Sequence, residues 1–315
     1  MKKKPLIIIT GPTAVGKTSL SIPLAKQIGG EIISADSMQV YKEMDIGTAK
    51  IKTEEMEDVP HHLIDVLYPN DEFHVVRFQQ MAKKALEQIY QNGHIPIVVG
   101  GTGFYIQALL YDIDFSKEEQ ATEFRLQMEQ YAKEHGNEAL HKKLELVDPV
   151  SAQKIHANNV KRVIRALEYY EQQKSPISEH NEIQAQKESP YDFLYFVLEH
   201  DREVLYDRIN RRVDQMMEEG LLLEVESLVK KGYTKELISM QGIGYKEFFP
   251  YFEGQCSLED VIYKIKLDTR HFAKRQLTWF KREKEVIWLS KKDYSEEQLY
   301  KQILDIIDKK HILSV

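Results

Sequence analysis

A single cysteine, Cys256, stands among 315 residues, so no internal disulfide and no cysteine-rich zinc site can form. No run of 18 apolar residues occurs, which argues against a membrane-spanning helix. Only Met1-Lys2-Lys3-Lys4 and a short apolar stretch precede the first glycine-rich segment. That is too little for a secretory signal, and a cytoplasmic location is expected. Internal repeats and low-complexity tracts are absent. Positive charge is in deficit too, with a net charge of −7. Yet eight Lys/Arg and two acids lie between Val261 and Lys284, a local balance of +6. A basic stripe on an acidic chain is a local electrostatic footprint that the overall charge conceals.

What is present is decisive at the N-terminus. Gly11-Pro12-Thr13-Ala14-Val15-Gly16-Lys17-Thr18 fits G-x-x-x-x-G-K-[ST]. An apolar run, Pro5 to Thr10, precedes it as a strand, and Ser19 to Ile28 follows as a helix. Backbone N–H groups of such a loop, with the helix N-terminus, cradle phosphate oxygens. Lys17 would reach the outer phosphate and the Thr18 hydroxyl would hold Mg²⁺. The loop therefore predicts binding of a di- or triphosphate, as in ATP-binding and other nucleotide-binding proteins.

The first 115 residues alternate strand and helix: Glu31–Ala35 and Ile95–Val99 read as strands and Phe73–Gln91 as a helix. This predicts an α/β fold, a P-loop NTPase-like parallel sheet flanked by helices. From Ser116 to about Ser189 strand-like runs vanish and helical spacing takes over, predicting a helical insertion domain. The organisation expected is a P-loop core over 1–115, an insertion over 116–190, and a second core part over 191–315. Within the last part, Tyr191–Leu198 and Val286–Leu289 read as strands, and Glu203–Glu219 and Glu296–Asp308 as helices.

Asp36 follows the second strand directly, where open α/β sheets place their ligands. A carboxylate there can hold Mg²⁺ or act as a general base; equally, it can cap its own loop in an Asx-turn. Gln39 offers a donor–acceptor pair suited to the adenine N6/N7 edge. Gly100-Gly101-Thr102-Gly103 ends another strand, leaving Thr102 as its only side chain. Its glycines permit either close approach to a ligand or a turn of positive φ. No Walker-B aspartate is evident, which weakens the case for an ATP-driven machine. His61-His62 lie on an extended segment and point to opposite faces, so structural roles are expected. Projected at 100° per residue, Lys266, Arg270, Lys274, Lys281 and Lys284 fall within about 80° of one another, opposite an apolar arc. Such a stripe suits a phosphate backbone. Lys161-Arg162-Val163-Ile164-Arg165 forms a smaller basic cluster, equally readable as an ordinary solvated helix face.

These pieces together resemble the bacterial tRNA dimethylallyltransferases, or tRNA isopentenyltransferases. The resemblance runs from the phosphate loop through Asp36–Tyr41, Met44–Lys50, His61–Asp65, Gly100–Gly103, Arg162–Glu168, Gly242–Glu247 and Thr269–Trp279. It implies transfer of a dimethylallyl group from dimethylallyl diphosphate to N6 of the adenosine 3′-adjacent to the anticodon, yielding N6-isopentenyladenosine. It makes Asp36 the base, with Lys17, Thr18-bound Mg²⁺ and the loop stabilising the departing diphosphate. Thr102 would position the amine or diphosphate. tRNA contacts are implied for Asp36, Ser37, Met38, Gln39, Thr102, Arg125, Lys161, Arg162, Arg165, Gln241, Gly244, Lys246, Arg270 and Lys274. Gln173-Lys174-Ser175-Pro176 replaces the Thr-Gly-Lys-Pro of many relatives, and no zinc is implied. A monomer, tRNA as partner and no membrane association are expected. Two competing readings are a P-loop kinase of a small metabolite or nucleotide and a non-catalytic nucleotide-dependent RNA-binding protein. The first would be served by the phosphate loop, Asp36 and the Arg202-to-Arg212 helix but leaves the basic helix and insertion unexplained, and the second has no need of Asp36 beside the phosphate site.

Overall fold

The computed structural model describes residues 3–115 and 123–312; Met1, Lys2 and the expected start of the insertion, 116–122, lie outside the described residues. The chain begins with β1 (Lys4–Thr10), α1 (Thr18–Ile28), β2 (Gly30–Ala35), β3 (His61–His62), α2 (Val75–Gln91), β4 (Ile95–Gly100) and α3 (Gly103–Leu110). There follow α4 (Glu123–His135), α5 (Asn137–Val147), α6 (Pro149–Lys154), α7 (Val160–Gln173) and α8 (Ile177–Ala185). The remainder is β5 (Tyr191–Glu199), α9 (Arg202–Glu218), α10 (Leu221–Lys230), the single turn α11 (Phe249–Phe252), α12 (Leu258–Phe280), β6 (Val286–Ser290) and α13 (Glu296–Lys310). The chain divides into two compact units, one of residues up to Leu110 with those from Pro190 onward, the other Tyr111–Ser189.

In the first unit all six strands are parallel, in the order β3-β2-β4-β1-β5-β6. This is the P-loop NTPase-like arrangement. β1 is sandwiched in register, Thr10 opposite Gly100 of β4 and Val197 of β5. Its residues Leu6, Ile7, Ile8 and Ile9 are all buried, as a strand covered on both faces requires. Ile7, Ile9, Ile32, Ile97 and Phe196 share one core with Leu20 and Leu24 of α1 and Leu299 and Ile303 of α13. From β1 the chain passes beyond β4 to reach β2, and it later returns to β1's other side as β5. The strand order thus reverses at β1 and β4, and their carboxyl ends flank the crevice where such sheets bind ligands.

The second unit has its own core, in which Leu140 and Leu144 of α5 meet Val163, Ile164 and Leu167 of α7. Buried Asp148 caps α6 through Ser151 N at 2.9 Å and takes Ser178 N at 3.0 Å and Ser178 Oγ at 2.7 Å. Burial pushes this carboxyl up, but the bonds from Ser151 and Ser178 outweigh it and hold it below the usual range. α7 ends on Lys174 in the left-handed region, φ 55, a conformation that favours glycine.

Candidate active site

β1 delivers the chain into the phosphate loop, where Ala14 (φ 62) and Gly16 (φ 87) adopt left-handed backbones. Such residues turn successive N–H groups into one concavity. Lys17 Nζ lies across the loop, donating to Gly11 O and Pro12 O at 3.1 Å each. Burial lowers the Lys17 ammonium to a pKa of about 8; Asp36 opposes the drop and Arg212 adds to it. Lys291 braces the loop from outside, donating to Gly16 O at 3.4 Å while paired with Glu296. Val15 is fully buried and anchors the loop in the core.

Asp36 leaves β2 at its carboxyl end. Its Oδ1 accepts from Met38 N at 2.8 Å and Gln39 N at 3.3 Å, an Asx-turn. The same carboxylate lines a cavity of about 910 Å³ with Thr13, Ala14, Gly16, Lys17 and Thr18. The Asx-turn read in the sequence is realised, and it leaves Asp36 on the wall of the cavity that the phosphate loop also lines. Gln39 also lines the cavity, but its Nε2 donates to Ala49 O at 3.1 Å and Thr48 O at 3.4 Å. Its donor is thus spent within the protein, and only Oε1 is left open to the cavity. Met38 turns toward Gly242, where an added Cβ would lie 2.4 Å from Met38 Cε. Ser37 is half-buried beside Asp36.

Arg208 and Arg212 of α9 line the cavity; the sequence reading gave their helix a part only in the kinase alternative. They follow the buried stripe Leu205, Ile209, Val213 at the same four-residue spacing, so the helical pattern places them beside the core. Burial lowers the pKa of Arg212 and Asp36 opposes the drop. Two cations and one carboxylate therefore feel one another around the phosphate loop.

Of the two alternatives read in the sequence for the Gly100–Gly103 turn, the turn of positive φ does not hold, whereas Gly100 and Gly101 do line the cavity. Among these three glycines none has a positive φ. Their missing side chains also make room for protein. A Cβ on Gly100 would lie 2.2 Å from Ala35 O, on Gly101 2.2 Å from Gln276 Nε2, and on Gly103 2.2 Å from Trp279 Cδ1. Thr102 does not border the cavity directly; its N–H bonds to Ala35 O at 3.2 Å, and its carbonyl accepts from Tyr105 N at 2.9 Å to start α3. Gln276 Oε1 in turn accepts from Thr13 N at 2.9 Å, and its Nε2 donates to Gly101 O at 3.0 Å.

Glu224 of α10 joins two distant motifs. Its carboxylate accepts from Asp45 N, Ile46 N and Gly47 N at 2.9, 2.7 and 3.1 Å, and from Tyr245 Oη at 2.7 Å. Burial, then the Glu224 charge, raises the Tyr245 phenol well above its ordinary value. Gly244 (φ 94) packs against Gly47, and its N–H goes to Glu247 Oε2 at 2.9 Å. Lys246 lies 3.7 Å from Glu247 Oε1, and the exposed Gln241 bonds to Lys235 O.

The basic helix is shorter than its charge pattern. α12 ends at Phe280, so Lys281 and Lys284 lie beyond it rather than on one continuous stripe. Lys266 pairs with Asp214 of α9 at 2.5 Å, and Arg270 stands 3.5 Å from Asn210 and over the Tyr206 ring at 5.9 Å. The half of the stripe facing α9 is therefore a helix–helix contact, contrary to the reading of a wholly free cationic face. Lys274 and Arg275 are exposed, as are Lys281, Arg282 and Lys284. In the second unit Lys161 and Arg162 are exposed, whereas Arg125 and Arg165 engage buried Glu168 Oε2 at 2.6 and 3.5 Å.

A family model described as IPP transferase matches residues 39–283. The chain belongs to the IPP transferase family. It is 57% identical to the tRNA dimethylallyltransferase of Lachnoclostridium phytofermentans, over 98% of this chain and 99% of that one. The solved tRNA isopentenylpyrophosphate transferase of Bacillus halodurans is similar at 43% identity and a TM-score of 0.73, covering 98% of this chain and 97% of its own. A eukaryotic dimethylallyltransferase captured acting on tRNA superposes with a TM-score of 0.84 at 34% identity, covering 98% and 79%.

Two further features of this IPP transferase bear on its chemistry. Thr18 and Asp36 present hard oxygen donors to the same cavity, and Asp36 uses only Oδ1 in its turn. That set suits Mg²⁺, which takes one or two protein oxygens and completes its shell with phosphate and water. The two histidines part company: His62 pairs with buried Glu31 at 2.6 Å, and His61 borders the cavity with Nδ1 2.8 Å from Val59 O. A carbonyl only accepts, so His61 Nδ1 carries the proton; burial lowers the pKa of this ring. No helix among the described residues is long and apolar enough to cross a membrane.

Proposed function

We propose that this protein is a tRNA dimethylallyltransferase, a cytoplasmic enzyme acting as a monomer. It transfers the dimethylallyl group of dimethylallyl diphosphate to N6 of the adenosine 3′-adjacent to the anticodon, giving N6-isopentenyladenosine and diphosphate. One observation carries the reading: the Asp36 carboxylate and the phosphate loop border a single cavity.

N6 attacks the allylic carbon bonded to oxygen, the C–O bond breaks, and its electron pair leaves with the diphosphate. The adenine amine is a weak nucleophile because its lone pair is delocalised into the ring. Asp36, with Oδ2 outside the Asx-turn bonds, takes its proton. Lys17, Arg208, Arg212 and the N–H groups of the loop hold the departing diphosphate, where preorganised charge is most effective. Thr18 would hold Mg²⁺, which when bound would add positive charge beside the leaving group. Thr102 fixes the turn next to Ala35, and Gln39 meets the base through Oε1. The target base leaves its stack to enter the cavity. Lys274 of α12, with Lys161 and Arg162 in the second unit, supplies exposed charge for the RNA backbone.

The test mixes protein, Mg²⁺, dimethylallyl diphosphate and unmodified tRNA, then digests the RNA and weighs its nucleosides. Prenylated adenosine is expected. Asp36→Asn should lose it by about 10²–10⁴-fold while still binding the donor. Unmodified adenosine from the wild-type reaction would refute the assignment.

A further inference from the structure

One buried amide spans both sides of the cavity. Gln276 is 6% exposed, and both ends of its side chain are bonded to backbone. Oε1 takes the Thr13 N–H of the phosphate loop at 2.9 Å, and Nε2 gives to Gly101 O at 3.0 Å. Gly101 precedes Thr102, whose N–H bonds to Ala35 O, and Ala35 carries Asp36 as its next residue. A continuous path of hydrogen bonds therefore runs from the diphosphate cradle, through Gln276, to the strand end bearing the base. The three strands concerned lie side by side, β4 pairing with β1 on one edge and with β2 on the other.

We infer that Gln276 is a positioning residue that fixes the distance between the diphosphate cradle and Asp36. This rests on the transferase reading above. An amide accepts at one end and donates at the other at every pH, whereas an ionised carboxylate only accepts. Gly101 lacks the Cβ that would strike Nε2, and Gly103 makes the same allowance for Trp279, one turn further along α12. The helix that carries exposed Lys274 and Arg275 is thus pinned to the chemistry by its opposite face. In-line transfer depends on near-attack geometry, and a misplacement of about 1 Å costs on the order of 10²-fold.

Two variants test this. Gln276→Met keeps the length and removes both bonds; kcat should fall about 10–100-fold with KM for either substrate changed less than about threefold. Gln276→Glu retains the acceptor for Thr13 N–H, but as a carboxylate it sets oxygen against Gly101 O. A protonated acid restores the donor, so the activity of Gln276→Glu relative to wild type should rise as pH falls. Amide hydrogen exchange is read alongside: in both variants the peptides holding Gly11–Gly16 and Gly100–Thr102 should exchange faster, without a general rise. A kcat preserved in Gln276→Met, or a flat pH ratio for Gln276→Glu, overturns the inference. Should Gln276→Met not fold, the pH ratio and exchange pattern of Gln276→Glu decide. Absence of prenyl transfer by the wild type would instead refute the transferase reading, and the exchange arm would still test the brace.

Discussion

Lys17 offers a test that needs no mutation. Its ammonium titrates near 8 in the free protein because burial disfavours the charge, with Arg212 adding to the effect and Asp36 opposing it. A diphosphate beside it favours the charged form. Donor binding therefore draws on the protonated lysine, full below pH 8 and depleted above it. At pH 7 about nine-tenths of the molecules carry that proton, and at pH 9 about one-tenth. Affinity for a non-reacting donor analogue should fall about tenfold across that interval, and each binding event at pH 9 should take up a proton. Isothermal titration in buffers of different ionisation enthalpy reads both quantities. Stability of the free protein should move the opposite way. The unfolded lysine keeps its proton up to 10.5, so between 8 and 10.5 the unfolded state holds more protons and stability gains with pH. Lys17→Met should abolish both trends and separates them from ionisation of the donor. A pH-independent affinity in the wild type, without proton uptake, would refute the reasoning.

Lys274 is exposed on α12, so Lys274→Ala should weaken RNA binding uniformly across sequences and reduce the slope of log K against log salt by about 1, measured by titration at several salt concentrations. Lys174 closes α7 with φ 55, so Lys174→Gly should raise stability by about 1 kcal/mol, read by denaturant melts, with prenyl transfer unchanged.

The fold was legible wherever one local rule dominated. Apolar runs flanked by glycine marked β1, β2 and β4, and the run after Ser189-Pro190 marked β5, each to within a residue or two, and α13 followed from its spacing. β3 escaped as a strand because two residues carry no periodicity; only pairing with Ile32 and Ile33 makes His61 and His62 a strand. At the site, the phosphate loop and Asp36 could be placed because both are tied to strand ends. Arg208 and Arg212 were visible only as part of a helix offered to the kinase alternative and Gln276 had no role at all, since a charged or polar side chain reads as solvated until tertiary packing buries it. The same limit explains α12: its charge arc was visible, but not that Lys266 and Arg270 meet α9 or that the helix stops at Phe280. Glu224 sits in an amphipathic helix and betrays its four hydrogen bonds only when two loops arrive from either side of it in sequence.

The position of β1 between β4 and β5 has a consequence during synthesis. β4 leaves the ribosome within the first hundred residues and covers one edge of β1, but β5, the partner of the other edge, begins only at Tyr191. At ~5–20 residues per second the second edge waits roughly four to sixteen seconds, while residues 111–189 are made. Throughout that delay Leu6–Ile9 present an apolar strand with unsatisfied backbone groups, the kind of template on which nascent chains stick to one another. Co-translational chaperones have most to protect in this protein after β4 has docked and before β5 emerges.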